Sequence, residues 1–499
     1  MVATGRHALT APRPLRRLLS SRSLSGLPDY LELAAAQTIT PVLADTHRMS
    51  RFIAVDRDTA YLLPPSVDEW LPQDHLARFV VEVIDQLDLS ELVRQYAGRG
   101  SDAYHPAMLL GLLVYGYASG MHSSRKIERA CHDSVAFRFI AANTQPDHDS
   151  IATFRRRFLP QIEALFVQVL VLAREMKCLK LGNISLDGTK IAANASKHRA
   201  LSWEHANKIE AQLRAEVQQL LKLAEQSDSH PVNDGLDVPA EIARREKRLE
   251  GIAQAKIKIE GRARERHAVE HQEFEAKTAK RDAQRKAGKK PRGPDPQPPS
   301  SEPKAGDQVN LTDEESRIMP TSRGGFEQSY NAQAAVDTET MLVVALHVSQ
   351  APNDKREIAP ILDKVQALPE VLGQVSTLLG DTGYFSAANV NACEAQAIVP
   401  MLSMKRESHH IPVLQRFAPD APAPETEDPV AKMAHRLGTK KGRALYGLRK
   451  QTVEPVFGII KRVMGWSQMS MRGLDKARGE WSLVTMAWNI KRLHVLQAA

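Results

Sequence analysis

At 499 residues the chain is too long for one compact core and predicts roughly two to four domains with room for a sizeable hydrophobic interior. Hydrophobic residues at 42% and charged residues at 25% exclude a disordered chain, and the longest charge-free apolar run, Met108 to Met121, is shorter than the ~20 residues that cross a bilayer. The three cysteines, Cys131, Cys178 and Cys393, form no CxxC pair, which excludes a disulfide framework and a zinc module, and the net charge of +8 points to a polyanionic partner.

Residues 1–28 contain five arginines and no acid, a composition like that of an organelle transit peptide. No helical register repeats there, and Met49-Ser-Arg-Phe-Ile-Ala-Val begins a more ordinary protein start. Residues 1–50 are therefore expected to be a disordered extension. Residues 51–178 read as an all-helical domain, with apolar positions at three and four spacing in Leu76, Phe79, Val80, Val83 and Ile84. Pro106 suits the first turn of the helix carrying Met108 to Tyr117, and Gly120 ends it. Ser123 or Ser124 can cap a short helix bearing Arg125 and Lys126; Asp149 or Ser150 can cap another bearing Arg155, Arg156 and Arg157. Two short basic helices on an apolar scaffold resemble a helix-turn-helix device, which makes these five residues candidate DNA contacts. Basic helices on an ordinary bundle are the competing reading.

After Leu181 the period becomes strand-like, with Ile184, Leu186, Thr189 and Ile191 placed around Asp187-Gly188. Residues 201–304 then interrupt the pattern. Their first ninety are charge-rich helix with apolar positions too sparse for a core, predicted as a hairpin or coiled-coil arm, and Lys289 to Ser301 is a proline-rich linker expected to be extended and mobile. Strand signals resume at Tyr330 to Val336 and Met341 to Val348, a hairpin joined by Asp337-Thr-Glu-Thr340. A helix over 357–368 follows, then a buried strand, Val375 to Leu379, delivering Gly380-Asp381-Thr382-Gly383. A helix capped near Ser386 leads to the strand Ile398 to Leu402. Two antiparallel strands followed by alternating helix and parallel strand predict a mixed α/β sheet, split between residues 179–200 and 305–495. Residues 405–440 read as loop. The chain ends in helices, the last apolar along Trp481, Val484 and Trp488.

Three isolated carboxylates stand out. Asp187 sits in Leu-Asp-Gly-Thr-Lys, where Asp-Gly taken alone reads as a tight turn. Asp381 follows a buried strand, where open α/β sheets bind ligands, and its flanking glycines permit close approach. Glu454 occupies a helix whose first turn Thr452 could cap, with Lys461 seven residues on; placement for the helix dipole is its ordinary explanation. Isolated acids at strand and helix ends are what hard divalent cations require. From Arg436 to Arg492 thirteen Lys or Arg stand against three acids, so positive charge is concentrated around Glu454. Asp337 and Asp354 are reserve carboxylates. His122, His132, His148, His409 and His410 lack partners at zinc-like spacing. Trp466 is expected in the core rather than stacked on a base.

Leu-Asp-Gly-Thr-Lys, Gly-Asp-Thr-Gly-Tyr and Tyr446-x-x-Arg449 leading to Val453-Glu454-Pro-Val-Phe-Gly-x-x-Lys461 resemble bacterial insertion-sequence transposases of the DDE class, over roughly residues 50–495. The resemblance implies an RNase H-like core, with Asp187, Asp381 and Glu454 as catalytic metal ligands for Mg²⁺, or Mn²⁺ in its place. It implies DNA as substrate, both terminal inverted repeats and target, a homodimer as the active complex, and a cytoplasmic, nucleoid-associated location. Tyr446, Arg449 and Lys461 would handle DNA phosphates, joined by Lys450 and Arg462. One residue more than usual separates arginine from glutamate here, so Lys450 competes with Arg449 for that role. The arm between the first two strands also departs from relatives whose insertion follows the fifth strand. A metal-dependent nuclease on the same fold, and a catalytically silent DNA-binding derivative, are the alternatives.

Overall fold

The computed structural model describes residues 66–96, 103–227, 237–288, 290–321, 324–404 and 419–498. The expected extension over 1–50, His409 and His410 lie outside them. The chain opens in helices: α1 (Val67–Trp70), α2 (Leu76–Asp85), α3 (Ser90–Arg94), α4 (Pro106–Ala118), α5 (Ser124–Asp133), α6 (Val135–Ile140) and α7 (His148–Glu175). Pro106 is in the first turn of α4, and eleven of that helix's thirteen residues are buried, as its unbroken apolar run requires. The second basic segment is not a short helix. Asp147, not Asp149 or Ser150, caps it by accepting the Ser150 amide, and it continues through Pro160 as the 28-residue α7.

Strand β1 (Asn183–Ala192) starts the sheet, and Asp187-Gly188 lies inside it rather than in a turn. β2 (Ala200–Ser202) leads into α8 (Trp203–Ser227), the chain returns in α9 (Val238–Lys286), and β3 (Gln308–Asn310) pairs with β2 to close the base of this arm. The arm does have a core, though a small one: Leu201, Ala206, Leu213, Ile252, Ala255, Ile259 and Val309 pack together, with Arg245–Glu216 and Lys256–Glu210 pairs across the helices.

β4 (Arg317–Pro320), β5 (Phe326–Asp337) and β6 (Val343–Ser349) follow, then α10 (Ile358–Gln366), β7 (Thr377–Gly380), α11 (Ala387–Ala395) and β8 (Val399–Leu402). β5 pairs antiparallel with β1, β4 and β6; β7 and β8 join parallel on the other side of β1. The spatial order β6-β5-β1-β7-β8 is thus three antiparallel strands extended by two parallel ones. Residues 405–440 are not all loop, because α12 (Pro429–Gly438) forms with Asp428 as cap, Pro429 in its first turn and Met433 buried.

α13 (Lys440–Gly458) runs into a π-helical turn, Ile459–Val463, and α14 (Leu474–Gln497) ends the fold. α14 is buried on all sides from Trp481 to Ile490, not on one face. It docks on the hairpin through Trp481 Nε1 to Gln333 O and Trp488 Nε1 to Met341 O, both 3.0 Å, and on the N-terminal helices through buried Glu480, which accepts from Tyr117 at 3.1 Å. One continuous hydrophobic core therefore runs from α2 to α14. Trp466 belongs to it, stacked on Trp481 with centroids 5.6 Å apart. Among the described residues no helix is long and apolar enough to cross a membrane.

Candidate active site

β1 and β7 run parallel with Ser185 opposite Leu379. Two residues further along that register Asp187 and Asp381 come near each other, where β7 stops at Gly380 and β1 goes on paired with β5, meeting Gln468 only at its last residue, Ala192. The open end this leaves is the place where such sheets accept ligands. Asp187 Oδ1 accepts the Gly188 amide at 2.8 Å, and Asp381 Oδ1 accepts the Gly383 amide at the same distance. Burial pushes the Asp187 carboxyl up to about 7; the Gly188 amide and Arg449 oppose the shift, and the Asp381 and Asp354 charges add to it.

Glu454 arrives from α13, which packs over β1. Its helix begins at Lys440 with Thr439 as cap, so Thr452 is not one: its hydroxyl donates to Leu448 O at 3.0 Å within the helix. Arg449 stands between two of the carboxylates, with Nη1 3.6 Å from Asp187 Oδ2 and Nη2 3.3 Å from Glu454 Oε1. The arginine is buried and its Nε has no partner, whereas the Glu454 side chain is half exposed. Lys461, carried by the π-helical turn, does not reach Glu454. Its ammonium donates to Thr189 Oγ1 and to Lys190 O at 3.0 Å, and burial lowers its proton affinity. Tyr446 is half-buried; Lys450 and Arg462 are exposed.

A fourth carboxylate comes close. Asp354, in the turn between β6 and α10, accepts from Asn331 Nδ2 and Gln333 Nε2, both at 2.7 Å, and lies 3.5 Å from Lys190 Nζ. Gly188 makes room for it: a Cβ there would lie 2.3 Å from Gln333 Nε2 and 2.6 Å from Asp354 Oδ1. The buried Tyr384 hydroxyl donates to Gln333 Oε1, which ties the turn after Asp381 to β5. Asp337, the other reserve carboxylate, instead accepts from Thr340 in the hairpin turn. Asn331, Gln333 and Tyr384 escaped sequence reasoning as a set, because only the fold brings β5, the turn after β6 and the turn after β7 together.

Among the described residues no group of three His, Cys, Asp or Glu side chains is close enough to hold a metal. Asp187 and Asp381 are near each other, and Glu454 is linked to Asp187 through Arg449. Even so the donor set fits a hard divalent cation: every donor is a carboxylate oxygen, and burial together with neighbouring acids leaves Asp187 short of positive charge.

In the N-terminal helices Arg125, Lys126, Arg156 and Arg157 are exposed, Arg157 lying over the Tyr96 and Phe158 rings. Arg155 is not on that surface. It is buried and donates to Tyr117 Oη at 3.1 Å and His122 O at 2.8 Å, bracing α7 against α4.

Because Tyr384 fixes the Asp381 turn through Gln333, Tyr384→Phe is expected to slow DNA cleavage ~10–100-fold, the usual effect of losing a partner behind a ligand, and to cost ~1–3 kcal/mol for the unpaired Gln333 oxygen. Cleavage kinetics and thermal melting check it; lowered stability with undiminished cleavage would mean that the network serves the fold alone.

A sheet that sets one aspartate inside its central strand and a second at the end of the neighbouring strand, beneath a helix bearing glutamate, defines the class, an enzyme acting on DNA, once two matches are taken with it. Residues 65–157 match the family described as Transposase domain (DUF772), and residues 296–490 match the Transposase DDE domain. The chain belongs to the insertion-sequence DDE transposases, and its sheet is RNase H-like. Transposases of this kind act on DNA and depend on divalent metal. No curated protein and no solved structure matches the chain. The DDE match begins after Asp187, so that residue's assignment rests on its strand pairing with β5 and β7.

Proposed function

We propose that this transposase cuts DNA at the ends of its element and joins the freed 3′ hydroxyl to target DNA, with Asp187, Asp381 and Glu454 holding Mg²⁺, or Mn²⁺ in its place. The observation that carries the reading is the adjacency of Asp187, within β1, and Asp381, where the parallel strand β7 ends beside it, with Arg449 bridging from Asp187 to Glu454. Bound there, the cations would supply Lewis-acid stabilisation of the attacking and leaving oxygens. Arg449 neutralises two carboxylates in this structure; once that charge is met otherwise, its guanidinium is free to take a DNA phosphate. Lys461 holds β1 two residues beyond Asp187, and exposed Lys450 and Arg462 with Tyr446 flank the glutamate as backbone contacts. Arg125, Lys126, Arg156 and Arg157 would engage the terminal repeats, two protomers would bring two ends together, and the reaction would take place on nucleoid DNA in the cytoplasm.

A strand-transfer assay with precut 3′-hydroxyl terminal DNA tests this. Joined product that requires divalent cation is expected. Hydrolysis without joining would assign a nuclease, and DNA binding with neither reaction would assign a silent derivative.

A further inference from the structure

The outer half of α9 is a helix with no core to serve. Its buried residues end at Ala263, yet it continues to Lys286. Up to Lys277 it is held as solvated helices usually are, by alternating pairs such as Glu260–Arg264 and Glu273–Lys277. The balance then breaks: from Lys277 to Arg292 there are eight lysines and arginines against one acid, Asp282. Among the described residues, the exposed Lys280, Lys286, Lys290 and Arg292 have no acidic partner.

The linker that follows is not a free tether. Arg281 Nη2 donates to Gly293 O at 2.7 Å, and Arg285 pairs with Asp295 at 2.6 Å, so the proline-rich stretch runs back along α9. Two segments of like charge are thereby kept together despite their repulsion. The base of this structure is placed by the Glu273–Arg356 ion pair, 2.8 Å, and Arg356 is two residues from Asp354. The excess charge thus begins one helical turn from the loop that borders the active site.

We propose that Lys277–Arg292 is a docking surface for the sugar-phosphate backbone of duplex DNA, holding the duplex beside the active site whatever its sequence. This rests on the transposase reading above. Lysine-rich surfaces act as point charges and meet phosphates without reading bases. From Lys277 to Lys286 the helix rises ~14 Å, and duplex DNA presents a charge every ~1.7 Å, so several phosphates lie within reach of one helix end.

The test uses the full chain with Lys280→Gln, Lys286→Gln, Lys290→Gln and Arg292→Gln combined, and measures affinity for a random-sequence duplex in EDTA over a range of NaCl. With ~0.9 counterions released per phosphate, the slope of log affinity on log salt should fall by about three to four, with affinity at least ~10-fold weaker near 0.1 M salt. Thermal melting should be unchanged, since these side chains bury nothing. An unchanged slope overturns the proposal. So does an equal fall in Lys208→Gln/Lys222→Gln, which removes exposed charge from α8 instead. Asp381→Asn run alongside separates the two readings: if it still cuts DNA, the active-site assignment fails, while the result for the arm stands.

Discussion

Asp381→Asn is expected to lower DNA cleavage and strand transfer by ~10³-fold or more, leaving DNA affinity and melting temperature near those of the wild type. The substitution keeps the shape of the side chain, and an amide oxygen can still accept the Gly383 amide, so the turn after β7 is preserved. Tyr384 and Ser386, which anchor that turn and cap α11, are untouched. What is lost is one negative oxygen donor at the open strand end. A metal ligand that stabilises developing charge contributes several kcal/mol, and ~4 kcal/mol is a factor of ~10³ in rate. Single-turnover cleavage of terminal-repeat DNA, gel-shift affinity and thermal melting decide the matter together. Cleavage within tenfold of the wild type would remove Asp381 from the site; a large fall in melting temperature would show instead that its role is in the fold.

The parts of this fold that were legible in the sequence are those whose causes are local. The β5–β6 hairpin is announced by Asp337-Thr-Glu-Thr340, where Asp337 accepts from Thr340, and α11 begins where Ser386 accepts the Asn389 amide. Strand β7 is a short apolar run ending at glycine, and Asp381 follows it as expected. The misreadings have nonlocal causes. Asp187-Gly188 looks like a turn because only tertiary structure gives that glycine another purpose: Asp354 and Gln333 occupy the space a side chain would need. Arg155 looks like a member of a basic triplet, but one helix face turns inward every third or fourth residue, and Arg155 is on it with Phe154 and Phe158. Thr452 looks like a cap because Pro455 suits a first turn, whereas α13 had already begun at Lys440, capped by Thr439, and accommodates the proline within. The candidate site was legible as residue types to propose and illegible as distances. Nothing in the spacing of Asp187, Arg449 and Glu454 foretells that the arginine would stand between the two acids.

Asp187 should also make the stability of the folded chain depend on pH, in a direction its environment dictates. Its carboxyl is pushed up to about 7 in the fold, against an ordinary value of 3.8. The folded state therefore binds this proton more readily than the unfolded state does, and the stability the protonated carboxyl confers is complete below pH ~4, declines as pH rises, and is lost above ~7. Once ionised, the group costs the fold ~2–4 kcal/mol, the upper figure being reduced by its residual exposure. Asp187→Asn, which cannot ionise, should melt several degrees higher than the wild type at pH 8 in EDTA, and the two should converge near pH 4. Added Mg²⁺ should narrow the gap at pH 8 by stabilising the wild type alone. Parallel melting curves for the two proteins from pH 4 to 8 would mean that the carboxylate is no more strained by its neighbours than a surface aspartate. The expected divergence would show that the fold disfavours an ionised Asp187 whose charge Arg449 meets only in part, and narrowing of the gap by Mg²⁺ alone would show that a cation relieves that cost.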